Sequence, residues 1–508
     1  MLQLRSLLLF AAALGGVSAF IGPGATLNIV NDNISPDGFP RAVTLAGGPK
    51  GGTFPGPLIV GEKDAEFKIN VTDKLKDKTM NLATSIHWHG LFQKHTNYVD
   101  GPSFVTQCPI IPDHSFLTGT YWYHSHFKTQ YCDGLRGPLV VYDPKDPHRH
   151  LYDIDDESTV ITLADWYHYL STEAPAIPAF NSTLINGKGR YPGGPEVPLA
   201  VVDVKHGKRY RFRVVSISCD PNFVFSIDGH QLTVIEADGI ETKPLVVDSL
   251  QIFAGQRYSV VLNANQPIAN YWIRSLPPDQ GFGNFTNLAI LRYDGARHAD
   301  PKVDPTVPVV SKLPLVETNL HPGKAYPGGA DININLDVEI FTVNGAPFEP
   351  PTVPVLLQIL SGAKSASQLL PAKSIYSLAP NKSVELTIPG GALGGPHPVH
   401  LHGHAFSVVR SAGDSTYNFV DPVVRDVVSI GQAGDNVTIR FFTDNPGPWF
   451  FHCHIDWHLD AGFAVVFAED VPDVPSQDIT TCELLPLLPA WGELCPAYDD
   501  FVKKGNHT

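Results

Sequence analysis

Short apolar runs separated by turn residues recur along the whole chain. Leu139 to Tyr142 and Tyr210 to Val215 are examples, rich in the β-branched and aromatic residues that favour strands. Glycine and proline, 44 and 45 residues respectively, punctuate the chain between such runs. Amphipathic helical spacing is not sustained over more than a few turns. The pattern therefore predicts an all-β protein built from sandwiches or barrels.

Two polar, proline-bearing stretches, Tyr142 to Pro147 and Pro301 to Pro322, are candidate domain boundaries. At roughly 150 residues per domain, a chain of 508 residues predicts three domains. We place them at residues 20–148, 149–318 and 319–508, after a leader at 1–19.

The leader has the features of a secretory signal peptide. Arg5 precedes the apolar stretch Leu7 to Leu14, and the small residues of Val17-Ser18-Ala19 form a cleavage site. The apolar stretch is too short to span a bilayer, which disfavours the alternative of a retained membrane anchor, and no other stretch reaches about 18 apolar residues. We therefore predict a secreted, extracellular protein cut near Ala19.

Glycosylation sequons and net charge agree with this location. Seven N-x-S/T sequons fit a glycosylating secretory route. The net charge of −15 argues against nucleic acid or an anionic membrane as partner, although it says little about a small neutral substrate. The sequons are at Asn33, Asn70, Asn181, Asn284, Asn381, Asn436 and Asn506.

Candidate chemistry is concentrated in the segment from His452 to His458. Successive side chains of a strand point to opposite faces, so His452 and His454 project one way and Cys453 the other. A thiolate can therefore serve one metal centre while two imidazoles serve another. His458 returns to the Cys453 side if the strand ends and the chain turns. A His₂Cys site of this kind suits copper and single-electron transfer.

Of the 21 histidines, ten fall in four short clusters. Each H-x-H places two imidazoles on one strand face, about 6–7 Å apart along the chain. His397 faces away from His400 and His402 in an extended strand, which is the same division that separates Cys453 from its neighbours. The clusters are His87/His89, His124/His126, His397/His400/His402 and His452/His454/His458.

The number of ligands distinguishes between metals. His397, Cys453 and His458 would form one site, and eight further imidazoles exceed what a single catalytic zinc takes. Eight imidazoles suit three metal ions with positions left open for oxygen species. The alternative is that a histidine is an ordinary surface or packing residue that binds no metal. We keep this interpretation for His95, His114, His148, His206 and His404.

The four clusters resemble the copper signatures of multicopper oxidases, and most closely those of fungal laccases of the basidiomycete type. The resemblance runs from about Ile21 to Cys495 and includes the segments from Thr96 to Pro102, Gln130 to Pro138 and Ala461 to Asp470. It implies three cupredoxin-like Greek-key β-sandwich domains. It also implies four copper ions, one type 1 ion in the third domain and a trinuclear cluster between the first and third.

Carried over residue by residue, the resemblance assigns every ligand. The type 1 copper takes His397, Cys453 and His458, and the type 2 copper takes His87 and His400. The type 3 pair takes His89, His124 and His454 on one ion and His126, His402 and His452 on the other.

The six cysteines are Cys108, Cys132, Cys219, Cys453, Cys482 and Cys495. Secretion favours disulfides, and if Cys453 binds metal the remaining five leave at least one thiol unpaired. Arithmetic alone leaves the connectivity open. The resemblance pairs Cys132 with Cys219 and Cys108 with Cys495, while Cys482 has no counterpart in the family pattern.

The axial position of the type 1 site gives an inference independent of family. The chain has two methionines, Met1 and Met80, and neither lies near His397 or Cys453 in sequence. Phe463, ten residues after Cys453, cannot ligate. A missing axial thioether raises the reduction potential of a blue-copper site, so we predict a high-potential centre.

The predicted activity is laccase activity. A phenolic substrate gives electrons singly at the exposed His458, the path runs through Cys453 to His452 and His454, and O₂ is reduced to water. Asp100 resembles the acidic residue that the family places near the type 2 copper, where it would relay protons. Its alternative role is that of a turn residue in Asp100-Gly101-Pro102.

Asp220 matches the carboxylate of the family's phenol pocket, where it would accept the substrate proton. The alternative is a solvated turn residue. With a reference pKa of about 3.9, it would be ionised and able to accept that proton in mildly acid medium. A phenol oxidises more easily as it deprotonates, whereas hydroxide competes for the open positions of the trinuclear cluster. We therefore predict a bell-shaped pH profile for phenols with an acidic to mildly acidic optimum, and falling activity with rising pH for a non-phenolic donor.

Three other functions remain open from sequence. A ferroxidase needs an acidic cluster near the type 1 histidines, and an ascorbate oxidase usually carries an axial methionine. A copper carrier or store needs only the His₂Cys centre, and the eight extra histidines speak against it. Oxygen consumption with a phenol, a non-phenolic amine, Fe(II) and ascorbate in parallel separates the four functions. The family precedent for assembly is a glycosylated monomer.

Overall fold

The computed structural model describes residues 21–48, 51–118, 122–277, 287–303, 311–322, 329–363, 365, 368–391, 395–475 and 488–505. The predicted signal peptide, Cys482 and the sequons at Asn284 and Asn506 lie outside these residues. Within them, none of the helices has the length and apolar character needed to cross a bilayer.

The first group of strands forms a five-stranded sheet in the order β3-β2-β1-β5-β7, a three-stranded sheet β6-β8-β9 and the pair β10-β4. β6 and β8 matter most for function, because they carry the first two histidine clusters. The strands are β1 Gly24–Ile34, β2 Arg41–Gly48, β3 Gly51–Thr53, β4 Ile59–Glu62, β5 Lys68–Asp73, β6 Ile86–His89, β7 Ser115–Thr118, β8 Trp122–Ser125, β9 Arg136–Gly137 and β10 Leu139–Tyr142.

The second group forms two sheets, β12-β11-β14-β19-β16-β17 and β13-β21-β20-β15-β18. The alternating burial of β13 is typical of a strand with one face on the core. The strands are β11 Val160–Trp166, β12 Ser182–Ile185, β13 Val201–Val204, β14 Arg209–Ser216, β15 Phe223–Ile227, β16 Leu232–Ala237, β17 Ile240–Val247, β18 Ser249–Ile252, β19 Arg257–Asn263, β20 Asn270–Leu276 and β21 Leu288–Tyr293.

The third group forms the sheets β22-β26-β31-β28-β29 and β25-β33-β32-β27-β30, with the short pair β23-β24. Every residue of β32 is buried, as its apolar sequence requires of a central strand. The strands are β22 Ile332–Asn335, β23 Val338–Glu339, β24 Thr342–Val343, β25 Ile375–Leu378, β26 Ser383–Pro389, β27 Pro398–Leu401, β28 Phe406–Arg410, β29 Val424–Arg425, β30 Val427–Ser429, β31 Asn436–Phe442, β32 Gly447–Cys453 and β33 Ala464–Glu469.

Helical structure is sparse, and the all-β prediction is confirmed. The α-helices are α1 Val355–Leu360, α2 Asp456–Asp460 and α3 Leu488–Lys503. Single 3-10 turns occur at Asn97–Val99, Gln130–Asp133, Arg149–Leu151, Glu157–Thr159, Ser171–Glu173 and Glu317–Asn319. The domain limits at 148 and 318 fall between the three groups of strands and, as exact limits, stay predictions.

The expectation that no amphipathic helix extends beyond a few turns is wrong for α3. Trp491, Leu494, Tyr498 and Phe501 follow helical spacing and pack on the apolar core of the first domain. Pro496 lies inside the helix, and proline and glycine in the same stretch obscured this periodicity in the sequence.

Disulfides tie the three domains together. Cys108 of the first domain is bonded to Cys495 of α3, and Cys132 is bonded to Cys219 of the second domain. These are the two pairings that the resemblance implied. Among the described cysteines, Cys453 is free.

Candidate metal centres

The register of β27 against β32 sorts the candidate ligands of the third domain. His400 lies directly opposite His452, and Val399 lies opposite Cys453. His400, His402, His452 and His454 therefore point to one side of the sheet, and Cys453 points to the other. α2 begins two residues after His454 and turns His458 back toward Cys453.

The first domain supplies the other half of the histidine cluster. β6 and β8 are antiparallel neighbours, with His87 opposite His124. All eight imidazoles are buried. The rings of His89 and His400, from different domains, stack with centroids 3.8 Å apart, and those of His87 and His402 with centroids 3.9 Å apart.

Ring nitrogens of the eight histidines converge between the two domains. His402 Nε2 lies 3.0 Å and His126 Nε2 lies 3.3 Å from His452 Nε2. On the other side, His454 Nε2 lies 3.1 Å from His89 Nδ1. His126, His402 and His452 form one triplet able to share an ion, but other triplets, such as His87, His400 and His402, overlap with it.

Hydrogen bonds fix which nitrogen of several rings faces inward. The Nδ1–H groups of His87, His124, His400 and His452 donate to the backbone carbonyls of Asp100, Ser125, Asp426 and Cys453 at 2.7–2.8 Å. The Nε2 atoms of His87, His124 and His400 are buried without a partner among the described residues. Metal-binding histidines have this arrangement, with one nitrogen anchored and the other left for the ion.

Burial favours the neutral form of seven of these imidazoles. It lowers the pKa of His89, His124, His126, His400, His402 and His454 far below the ordinary value, and the neighbouring rings lower it further. The pKa of His452 falls to about 3, chiefly because of burial. A neutral imidazole is the form that binds a metal, so burial favours metal binding by these seven side chains.

Cys453, His397 and His458 form a separate triplet on the opposite face of the sheet. Cys453 Sγ lies 3.6 Å from His397 Nδ1 and 3.8 Å from His458 Nδ1. Burial raises the pKa of the Cys453 thiol, with the Asp220 and Asp456 carboxyls adding to the effect, so a bound cation is needed to favour the thiolate. His458 alone of the three is partly exposed.

Aromatic and aliphatic side chains complete the surroundings of this triplet. The buried Phe463 ring lies edge-on to His397 at 5.2 Å, and Phe341 stacks on His458 at 4.3 Å. Met80 is buried in the first domain, where its Sδ accepts a hydrogen bond from Asn31. It is therefore far from this site, and Met1 lies outside the described residues.

Asp100 joins the histidines of both domains. Its carboxyl Oδ2 accepts a hydrogen bond from His402 Nδ1 at 2.7 Å, and its backbone carbonyl accepts one from His87. The residue is fully buried. The carboxyl is therefore adjacent to two candidate ligands rather than in a solvated turn.

Asp426 is a site residue that sequence reasoning missed. Its Oδ1 lies 3.3 Å from His89 Nε2, and Arg257 of the second domain binds both carboxylate oxygens at 2.6 and 2.7 Å. Burial raises the Asp426 pKa, while Arg257 opposes that rise. Asp426 lies alone between two short strands, 169 residues from Arg257, so no sequence motif indicated that it belongs to the site.

Asp220 lies on the Cys453 side. Its backbone N–H donates to Asp165, and the preceding Cys219 carbonyl accepts from Asp456 of α2. Burial, reinforced by the Asp165 carboxylate, raises the pKa of Asp220 to about 7. The expectation of an ionised Asp220 in mildly acid medium is therefore wrong, because the reference value applies to a solvated carboxyl.

The histidines assigned to ordinary roles lie outside both groups. His404 is buried but faces Glu469, with its Nε2 2.9 Å from the Glu469 carboxylate. His95, His114 and His206 are exposed, and His148 is half-buried.

Three family models described as multicopper oxidase match the chain, over residues 29–146, 157–296 and 348–473. The chain is 57% identical over 507 residues to Laccase-2 of Trametes versicolor, covering 95% of each protein. It is 55% identical to Laccase-2 of Pleurotus ostreatus, covering 98% of this chain and 96% of that one.

Two crystal structures of oxidases have the same fold as this chain. The laccase from Botrytis aclada superimposes with a TM-score of 0.78 at 29% identity, covering 96% of this chain and 93% of the other. Fet3p, described as a multicopper oxidase that functions in iron import, superimposes with a TM-score of 0.78 at 26% identity, covering 94% and 95%.

Replacing Asp426 by Asn should destabilise the protein by about 3 kcal/mol, because it removes the carboxylate that binds the buried Arg257 guanidinium and leaves only Asp238, 3.8 Å away, as counter-charge. Thermal unfolding measures the loss. The matched control is Asp143→Asn, which breaks the exposed Lys63–Asp143 pair and should cost less than about 1 kcal/mol. A loss in Asp426→Asn no larger than in the control would show that the buried pair contributes nothing specific.

Proposed function

Because the chain belongs to the multicopper oxidase family, among its fungal laccases, we propose that eleven side chains bind four copper ions. A laccase oxidises phenolic and related aromatic substrates one electron at a time and reduces O₂ to water. We assign His397, Cys453 and His458 to type 1 copper and His87 and His400 to type 2. The type 3 pair is assigned His89, His124 and His454 on one ion and His126, His402 and His452 on the other.

One observation carries the proposal. In the strand β32, a soft thiolate faces one cluster of nitrogen donors while its two neighbours face another, whose unpartnered Nε2 atoms are buried. These donor sets fit copper, since thiolate and imidazole suit it and an open trigonal site serves electron transfer. When bound, the ions would accept electrons singly and deliver them to O₂.

The protein's own residues provide the point of substrate approach and the path along which electrons pass. The half-exposed His458 is the edge at which a substrate can approach. Cys453 is joined through the backbone to His452 and His454, which gives a short covalent connection between the two centres. The absence of a methionine near Cys453, together with Phe463 beside His397, supports a high reduction potential.

We propose Asp220 as the acceptor of the phenol proton and Asp100 as the residue that passes protons toward O₂. Asp220 contributes to the raised pKa of Cys453, which supports its position near the type 1 site. Asp100 holds His402 by hydrogen bond. Asp220 would thus take up the proton released in substrate oxidation, and Asp100 would deliver protons for O₂ reduction.

We further propose that the protein is a secreted, glycosylated monomer acting on phenols such as lignin fragments. The leader at 1–19, the sequons and the net charge of −15 support this location and disfavour nucleic acid and membrane as partners.

Replacing Cys453 by Ser should remove one of four copper ions per chain and abolish the blue colour of the thiolate site, because a hydroxyl is a poor ligand for this metal. Elemental analysis and visible absorption measure both. The control His404→Gln changes a clustered histidine that pairs with Glu469 and should keep all four ions. Four ions in the Cys453 variant would remove Cys453 from the ligand set.

Replacing Asp100 by Asn should slow O₂ reduction about a hundredfold, the contribution of a typical proton-transfer group. The bleaching of the blue colour by substrate without oxygen should stay fast, since that half-reaction occurs on the other face of β32. Stopped-flow spectroscopy separates the two rates. If both rates are unchanged, or both fall together, Asp100 is not on the proton path.

Burial raises the pKa of Asp220 in the folded protein to about 7, from an ordinary value of 3.8. The acceptor carboxylate therefore forms only as pH approaches 7, so kcat/KM for a phenol should rise toward that pH. Asp220→Asn should lower it about tenfold or more there and flatten the rise, while a non-phenolic donor is unaffected. The rate profiles of both donors in both proteins measure this.

A second readout for Asp220 is stability. Between pH 3.8 and 7 the folded state binds a proton that the unfolded state has lost, so wild-type stability falls as pH rises through that window. Asp220→Asn should remove this fall. Parallel losses for both donors in the variant would make Asp220 structural.

A further inference from the structure

A groove of about 700 Å³ lies on the third domain, away from both metal centres. It runs along the outer side of the sheet that contains β26, β31 and β28. Among its lining residues are Ser383, Ser407, Phe419, Arg440, Phe442 and Asp444. We call it the β26–β31 groove.

Two aromatic side chains that line this groove are exposed to solvent. Phe442 is 46% exposed and lies directly opposite Ser383 in the sheet. Phe419 is 44% exposed, and the Arg440 guanidinium lies 4.4 Å from its ring. Because both rings line the same groove, they offer exposed apolar surface that a ligand with an apolar face could cover.

A polar atom at the bottom of the groove also lacks a partner. Ser407 is only 4% exposed, yet its Oγ has no hydrogen-bond partner among the described residues. Buried hydroxyl groups are normally satisfied, so a missing partner indicates a ligand that brings its own polar group. A flat apolar surface beside an unsatisfied hydroxyl suits a sugar, which has a C–H face and hydroxyl groups.

The sequon at Asn381 begins at the rim of this groove. Asn381 is exposed, with a φ of 56° in the turn between β25 and β26. Its backbone N–H donates to the Thr443 carbonyl at 2.7 Å, and Thr443 lies between the groove residues Phe442 and Asp444. Ser383, the third residue of the sequon, lines the groove itself.

We propose that Asn381 carries an N-linked glycan whose first sugars lie in the β26–β31 groove. Asn381 Nδ2 loses a proton and bonds to the anomeric carbon of an oligosaccharide, displacing the diphosphate of a polyprenyl-diphosphate donor. A pyranose C–H face would cover Phe442, and a hydroxyl would reach Ser407 Oγ. The inference rests on the proposed secretion, which supplies that donor.

The asparagines of the other described sequons differ from Asn381 in their burial or in their distance along the chain from the groove. Asn181 is half-buried, and its Oδ1 is held by a hydrogen bond from the His168 amide, whereas Asn381 is exposed. Asn70 is half-buried in β5, which is paired on both sides. Asn436 is half-buried at the start of β31, at the opposite end of that strand from Phe442. Asn33 is exposed on β1, remote in sequence from the groove, and provides an internal reference for an undocked glycan.

The test uses the holoenzyme secreted from a eukaryotic host. Glycopeptide mass spectrometry should find Asn381 occupied. In the native protein, an endoglycosidase should release the Asn381 glycan about tenfold more slowly than the Asn33 glycan, since a docked sugar must first leave the groove. In denatured protein the two rates should be equal, which controls for glycan type.

Two substitutions separate docking from mere attachment. Phe442→Ala should raise the native release rate at Asn381 to that of Asn33, whereas Phe442→Tyr keeps the ring and should keep the slow release. Both change an exposed side chain, so folding and laccase activity should be retained. Asn381→Asp, which tolerates the same φ, should remove the glycan and leave activity unchanged.

The results that would overturn the proposal are distinct. A bare Asn381 beside occupied sequons elsewhere overturns the modification site. Equal native release rates at Asn381 and Asn33, or slow release that persists in Phe442→Ala, overturn the docking. If every sequon is bare and the protein stays in the cell, the proposed secretion fails and this inference with it, while the laccase assignment stands.

Discussion

The alternation of side chains along one buried strand is the constraint on which the rest of the structure depends. β32 places His452 and Cys453 on opposite faces, and β27 repeats the division at the matching register, with His400 opposite His452. A shift of one residue in that register would turn every ligand to the wrong side. The complete burial of β32 between β33 and β27 prevents the shift, so the packing of the third domain protects the chemistry.

The histidine cluster adds a requirement between domains. Four of its imidazoles come from β6, β8 and the residue after β8, and four come from β27, β32 and the residue after each of these strands. In the proposed assignment, each ion of the cluster takes ligands from both domains. Asp100 reaches across from the first domain to His402, and Arg257 of the second holds Asp426 beside His89. All eight histidines are buried, and burial lowers the pKa of seven of them. The docking of the domains, which brings the imidazoles together, therefore also buries them and favours the neutral form that binds a metal.

Local pattern and family motifs supplied much of this from the sequence. Period-two alternation predicted the strands and the two faces of β32, and motif resemblance supplied the ligand sets and both disulfides. Three features escaped. Asp426 acquires its place only through Arg257, which lies 169 residues away. Phe341 stacks on His458 from the turn of a hairpin. The periodicity of α3 was masked by helix-breaking residues. The first two features depend on contacts between distant parts of the chain, which no local pattern records.

Asp220 shows why a reference pKa misleads at such a site. A solvated carboxylate would stay ionised in acid but would hold a phenol's proton weakly. Placing it beside Asp165, with little water, raises its pKa to about 7 and makes it a stronger base toward the substrate. The same environment disfavours the charged form in the folded protein, so the residue lowers stability at neutral pH. A proton acceptor matched to its substrate and a carboxylate that stabilises the fold are opposing demands, and burial at this position favours the first.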